Sequence, residues 1–231
     1  MKNKVLILWD IDGTLLDTNG AGVQPFQNAV KKWTSTNPNF DRKKFAGKSD
    51  YEIAHLLIGK NNLQLYRRLL IWFILRTYAR SLKRKLRTEK VKVLGDVQNS
   101  LSTLKKSGFY NLGILTGNCK EGMKLKLRNA ELDNYFDRKF MFYATSTKST
   151  REMILNDVTS RYKGVIITVG DTPNDILAAR NLGIQNISVA TGLYSREELE
   201  GLNPDWVLET NWNFSDFKVK LEKLSEELNE K

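Results

Sequence analysis

Apolar residues along this chain keep two rhythms. Short runs at residues 5–9, 111–115, 139–143, 165–169 and 186–189 read as strands, and a shorter one at 206–208 as an edge strand. Elsewhere apolar positions recur every three or four residues. That spacing predicts helices over 96–107, 121–130, 151–162, 174–182 and 215–228, with Gly108 and Gly183 as stops. Strands alternating with helices predict an α/β fold, a doubly wound and mostly parallel sheet with helices on both faces. The stretch from 17 to 90 breaks the alternation. It carries helical patterns at 24–33, 51–58 and 63–86 and no strand signal. It is too long for an ordinary connection and reads as an all-helical insertion. The expected organisation is a Rossmann-like core, residues 1–16 and 94–231, interrupted by a helical domain at 17–93.

Composition narrows the class. The chain has 231 residues, 41% of them hydrophobic, enough to bury a core and to exclude global disorder. The single cysteine, Cys119, excludes an intrachain disulfide and points to a reducing compartment. The first apolar run ends in acids and has no small-residue cleavage site, unlike a signal peptide. The longest apolar run, 69–75, is too short to span a bilayer. The expectation is a cytoplasmic protein with no membrane association.

The net charge of +11 is unevenly spread. Residues 60–92 hold eleven lysines and arginines against the one acid Glu89, leaving the rest of the chain nearly neutral. Such a segment serves as a solvated helix face, steers an anionic substrate, or contacts nucleic acid. Leu65, Leu69, Ile71, Trp72, Phe73, Leu75 and Tyr78 predict a broad apolar packing face within it.

Candidate chemistry collects where strands end, the edge at which open α/β sheets bind ligands. Asp10 and Asp12 follow the first strand, two carboxylates that need a cation to ionise together away from water. Thr116-Gly117-Asn118 follows the strand at 111–115, and Lys148 and Arg151 lie before or at a helix start. Gly170-Asp171-Thr172-Pro173-Asn174-Asp175 follows the strand at 165–169. Together they offer carboxylates for a metal ion, a hydroxyl and backbone N–H groups for phosphate oxygens, and a fixed positive charge. Cys119 has no acyl-transfer pattern around it and reads as inert. His55, without a G-x-S-x-G motif in the chain, reads as a packing or surface residue.

These motifs, DIDGT (10–14), LTGN (115–118), a basic residue near a helix start and GDTPND (170–175), resemble in order the haloacid dehalogenase superfamily of phosphohydrolases. The resemblance spans nearly the whole chain and is closest to the phosphoglycolate-phosphatase-like subgroup with a helical cap. Leu94-Gly95-Asp96-Val97 is similar to the segment leading from cap back to core, and Phe45-Ala46-Gly47-Lys48-Ser49-Asp50 to the cap's specificity loop. The resemblance implies a Mg²⁺-dependent phosphatase acting on a small phosphorylated metabolite. Asp10 would be the nucleophile that becomes an aspartyl phosphate, and Asp12 the acid and base. Gly13 would allow the turn off the strand. Mg²⁺ would sit on Asp10, the Asp12 carbonyl and Asp171, with Asp175 close by. Thr116, Gly117 and Asn118 would hold the phosphoryl oxygens, and Lys48 would reach substrate from the cap. The third motif departs from the family's usual Lys-Pro: Lys148 is followed by Ser149. Lys148 fits the spacing to Ile154-Leu155 and is preferred, with Arg151 as its rival. A phosphomutase built on the same core, or a nucleic-acid-associated protein using the basic segment, are the alternative readings.

Overall fold

The computed structural model describes residues 4–34, 36–58 and 64–229, without the side chains of 64, 65 and 225–229. In chain order its elements are β1 (Val5–Trp9), β2 (Leu16–Asp17), α1 (Val23–Thr34), α2 (Arg42–Phe45), α3 (Asp50–Ile58), α4 (Gln64–Lys85) and β3 (Lys92–Val93). There follow α5 (Val97–Ser107), β4 (Tyr110–Cys119), α6 (Lys120–Asn129), β5 (Met141–Ala144), α7 (Arg151–Arg161), β6 (Ile166–Gly170) and α8 (Pro173–Asn181). The chain closes with β7 (Gln185–Val189), α9 (Arg196–Glu200), β8 (Trp206–Leu208) and α10 (Phe214–Asn229).

Six strands form one parallel sheet in the order β5-β4-β1-β6-β7-β8. β1 lies inside it, paired with β4 (Trp9↔Ile114) and β6 (Trp9↔Val169). A strand covered on both faces is apolar at every position, and Leu6 to Trp9 are fully buried. Alternate side chains go to opposite faces. Ile7 and Trp9 pack with Leu101 of α5 and Phe217 of α10, with the Trp9 ring 5.0 Å from Phe217. Leu6 and Leu8 pack with Leu155 of α7 and Ala179 of α8. Helices therefore cover both faces of the sheet, and the expected doubly wound α/β class is the class observed.

β2 and β3 form a separate antiparallel ribbon, Leu16↔Val93 and Asp17↔Lys92. Every element described between them is a helix, and these helices keep their own apolar cluster, built from Phe26, Val30, Ile53, Ile74, Tyr78 and Leu82. Cys119 of the sheet packs against that cluster.

The structure corrects several expected details. β4 does not stop at 115; it runs to Cys119, because β5 pairs Cys119 with Ala144 after a register irregularity. Thr116, Gly117 and Asn118 therefore belong to the strand's last residues. β5 starts at Met141, because Asp137 caps a single 3-10 turn over Arg138–Phe140. The short helices α2 and α9 were not expected. Each has a side-chain cap, Asp41 for α2 and Ser195 with Glu198 for α9. The broad apolar face expected of residues 65–78 divides. Ile71, Leu75 and Tyr78 are buried, whereas Leu69, Trp72 and Phe73 are exposed. Lys60 and the Leu65 side chain lie outside the described residues.

Candidate active site

β1 ends by delivering Asp10 to the centre of the sheet's C-terminal edge, where its N–H donates to Val169 O at 2.9 Å. Gly13 then turns the chain with φ at +83°, and a Cβ there would lie 2.2 Å from Asp171 Oδ2. Only glycine meets both conditions. Asp171 and Asp175 arrive from the end of β6 and the first turn of α8. Asp175 Oδ2 accepts from Thr172 N–H (3.2 Å) and Oγ1 (2.6 Å), so part of this carboxylate caps its helix. Asp171 Oδ1 accepts from Thr14 Oγ1 at 2.9 Å. Carboxylate oxygens of Asp10, Asp171 and Asp175, all buried, lie within 4.8 Å of one another.

Such a cluster has a cost. Burial pushes Asp10 up to about 6, with Arg151 opposing and Asp175 adding to the rise. Asp171 is pushed well above the usual carboxylate range by burial and by the charges of Asp10 and Asp175. The compensating charge is Arg151, at the start of α7. Its Nη1 donates to Asp10 Oδ1 at 3.0 Å and to the Leu115 carbonyl. Its Nε stands 3.0 Å from Asp175 Oδ1, an ion pair off the line of a hydrogen bond. Lys148, the preferred third-motif cation, does not reach the cluster. It pairs with Asp157 one helical stretch along α7. The reason is phase: Arg151 opens the helix on its inward face, whereas Lys148 precedes the Thr150 N-cap and turns outward. Lys148→Ala is accordingly expected to leave any reaction at the cluster within about twofold of the parent's rate, because Lys148 pairs away from it, in a half-buried surface pair that contributes only ~0–1 kcal/mol. Steady-state kinetics would check this.

Asp12 points away from the other carboxylates. Its Oδ2 accepts from Lys126 Nζ at 2.6 Å and Asn118 Nδ2 at 2.7 Å. Asn118 also donates to Thr116 Oγ1 at 2.8 Å, so Thr116, Asn118 and Asp12 form one chain of contacts. Lys126 was not foreseen. It lies three residues after the buried Met123 on α6, a lone cation on an apolar stripe, and that misplacement was the readable signal. Burial opposes its charge, but Asp12 and Asp50 outweigh it and hold the ammonium above the ordinary lysine range. Asp50 was also missed as a site residue. It starts α3, accepts from Cys119 N–H at 2.7 Å, and is raised by burial despite Lys126. Burial likewise pushes the Cys119 thiol well up, as an unreactive cysteine requires. His55 lies exposed on α3.

Asp10, Asp12, Asp171, Arg151, Asn118 and Lys126 border a cavity of about 250 Å³. Its floor is Asp10, Gly13, Thr116 and Asp171; Phe26, Phe45, Ile53 and Tyr78 wall it from the helical segment, and Arg42 and Lys48 border it. Gly117 lies against the 48–49 backbone, and a Cβ there would be 2.9 Å from Ser49 Cα. Gly192 is tighter still, its hypothetical Cβ 1.7 Å from Asp171 Oδ2. Gly192→Ala must displace Asp171 from a carboxylate cluster that could hold a metal ion, and a divalent cation titrated onto that cluster should bind about tenfold or more weaker than to the parent. Calorimetric titration of the variant would show it.

The sequence model of haloacid dehalogenase-like hydrolases matches residues 7–189. The chain is similar to PpaX of Caldanaerobacter subterraneus subsp. tengcongensis, 27% identical over 209 residues, covering 89% of this chain and 90% of that one. It is also similar to pyrophosphatase PpaX of Bacillus mycoides, 24% identical over 208 residues, with 88% and 91% covered. Among solved structures, a predicted phosphatase from Clostridium acetobutylicum superposes with a TM-score of 0.71 at 20% identity, covering 97% of this chain and all of that one. No helix among the described residues is long and apolar enough to cross a membrane.

Proposed function

The chain belongs to the haloacid dehalogenase-like hydrolases, and on that premise we propose that it is a Mg²⁺-dependent phosphatase for small phosphate monoesters. One observation carries the reading. The Asp10 carboxylate faces a small cavity between a carboxylate cluster and the Thr116–Asn118 donors. Residues 17–93 act as its cap, and Lys48 and Arg42 draw in the anionic substrate.

In the first step an Asp10 oxygen attacks phosphorus, the P–O ester bond breaks, and Asp12 gives its proton to the leaving oxygen. The product is an aspartyl phosphate. In the second, Asp12 takes a proton from water as that water attacks phosphorus, releasing phosphate and restoring Asp10. Lys126 and Asn118 aim Asp12 at the leaving group. Thr116 Oγ1 and the Gly117 N–H hold the phosphoryl oxygens, where charge stabilisation and positioning supply most of the rate. Arg151 keeps Asp10 ionised and oriented.

Three buried carboxylates with one arginine for charge balance form a hard oxygen donor set that suits Mg²⁺. Asp10, Asp171 and Asp175 would hold the ion, with the Asp12 carbonyl. Bound there, it neutralises the repulsion between Asp10 and an anionic substrate.

The test is phosphate release from a panel of monoesters, phosphoglycolate and p-nitrophenyl phosphate included, with Mg²⁺ and with EDTA. Pyrophosphate belongs in the panel because relatives bear that name. Release that requires the metal supports the proposal. No release from any member sinks it, and phosphoryl transfer between two sugars would favour a mutase.

A further inference from the structure

The face of α4 turned away from the helical cluster is largely open to solvent. At about 100° per residue, positions 69, 72, 73, 76, 80, 83 and 84 fall on one strip. Its first half is apolar: Leu69, Trp72 and Phe73 are 54%, 49% and 38% exposed. Trp33 of α1 extends it, stacked 4.7 Å from Phe73 and held by Nε1 donating to Thr77 Oγ1 at 2.8 Å. The second half is cationic. Arg76 lies 5.0 Å over the Trp72 ring, and Arg80, Lys83 and Arg84 follow, all exposed. No carboxylate among the described residues pairs with these four.

A solvated face explains the cations and leaves the exposed rings unexplained. A second copy would cover the rings but bring two strongly basic segments together. A membrane-surface helix buries a continuous apolar stripe along its length. Here that stripe, Ile71, Ile74, Leu75 and Leu82, already faces the helical cluster, and the outward apolar part ends at Phe73. An anionic chain that carries flat π faces satisfies both halves.

We propose that this outer face of α4 binds single-stranded nucleic acid. Bases stack on Trp72, Phe73 and Trp33, and phosphates run along Arg76, Arg80, Lys83 and Arg84. The cations advance about 6 Å from Arg76 to Arg80 and about 4.5 Å from Arg80 to Lys83, with Arg84 beside Lys83 about 1.5 Å further on, so several successive phosphates are met. Tyr78 borders the catalytic cavity from the inward side of the same helix. The strand thus lies on the outside and is not the ester presented to Asp10. The proposal stands independently of the phosphatase reading.

The experiment is an anisotropy titration of the full chain with a labelled oligothymidylate of about twelve nucleotides, a length within the usual single-strand site range. With four phosphates engaged, log K should fall against log salt with a slope of about −3. Trp72→Ala should weaken binding about 5- to 100-fold at unchanged slope, and Trp72→Phe should retain most of it. Arg80→Glu with Arg84→Glu should weaken binding and flatten the slope by about half. All three variants should release phosphate as the parent does. The proposal is overturned by no binding in about 50 mM salt, or by affinity indifferent to Trp72→Ala, which marks simple polyanion attraction. It is equally overturned by tighter binding to phosphatidylserine vesicles than to the oligonucleotide, or by a dimer that Trp72→Ala dissociates.

Discussion

Arg151→Met should cost the metal-free protein about 3–5 kcal/mol at pH 7.5, the usual penalty for stripping one partner from a buried ion pair. In a chain of this size that lowers the melting temperature by about 6–20 °C. Methionine roughly fills the space but leaves Asp10 and Asp175 without their counter-charge and the Leu115 carbonyl without its donor. The pH dependence carries the sign. Asp10 in the folded chain titrates near 6, above the 3.8 of a free aspartate, so folding strengthens its hold on a proton. Lowering the pH through 6 therefore favours the folded state at this group, the reverse of a salt-bridged carboxylate with a depressed value. Removing Arg151 raises that proton affinity further. The deficit should be largest at pH 7.5, shrink by pH 5, and shrink again with added Mg²⁺. Thermal melts at both pH values, with and without the ion, provide the check. A variant that melts like the parent at pH 7.5 would show that Arg151 is not the cluster's compensating charge.

Lys148 and Arg151 also show where sequence reading stopped. Motif spacing brought both to the right sheet edge but did not say where α7 begins: Lys148 lies before the Thr150 N-cap, outside the helix, whereas Arg151 opens it. Asp10, Gly13 and Asp171 were legible because their demands are local: a strand end, a glycine turn and a helix start. β1 and its pairing edge were legible for the same reason, since an unbroken apolar run announces a strand covered on both faces. Lys126 and Asp50 were not. Each becomes a site residue only when a distant segment folds onto it, Asp12 across 114 positions for Lys126 and Cys119 across 69 for Asp50. The exposed Trp72 and Phe73 were hidden in a different way. A helix apolar on several sides does not say which side the fold will cover, and the packing of Ile71, Ile74 and Tyr78 into the helical cluster decides it.

Asp10→Asn should abolish phosphate release, by about 10⁴-fold or more, as loss of a covalent nucleophile does. The size of the loss matters less than what accompanies it. Asn is nearly isosteric and its carbonyl oxygen still accepts from Arg151, so the fold has no cavity to absorb and no donor to orphan. It also removes one of three mutually repelling carboxylates, and burial has already raised the proton affinity of Asp10 and of its neighbour Asp171. The metal-free variant should therefore melt at or above the parent's temperature at pH 7.5, with the difference narrowing as pH falls through about 6, where the parent's Asp10 takes up its own proton. Divalent-cation affinity should drop, because one anionic ligand of the cluster is gone. An inactive but more stable protein separates a chemical role from a structural one. If activity survives the substitution, Asp10 is not the nucleophile. If activity and melting temperature fall together, Asp10 serves the fold, and the aspartyl-phosphate mechanism loses its support.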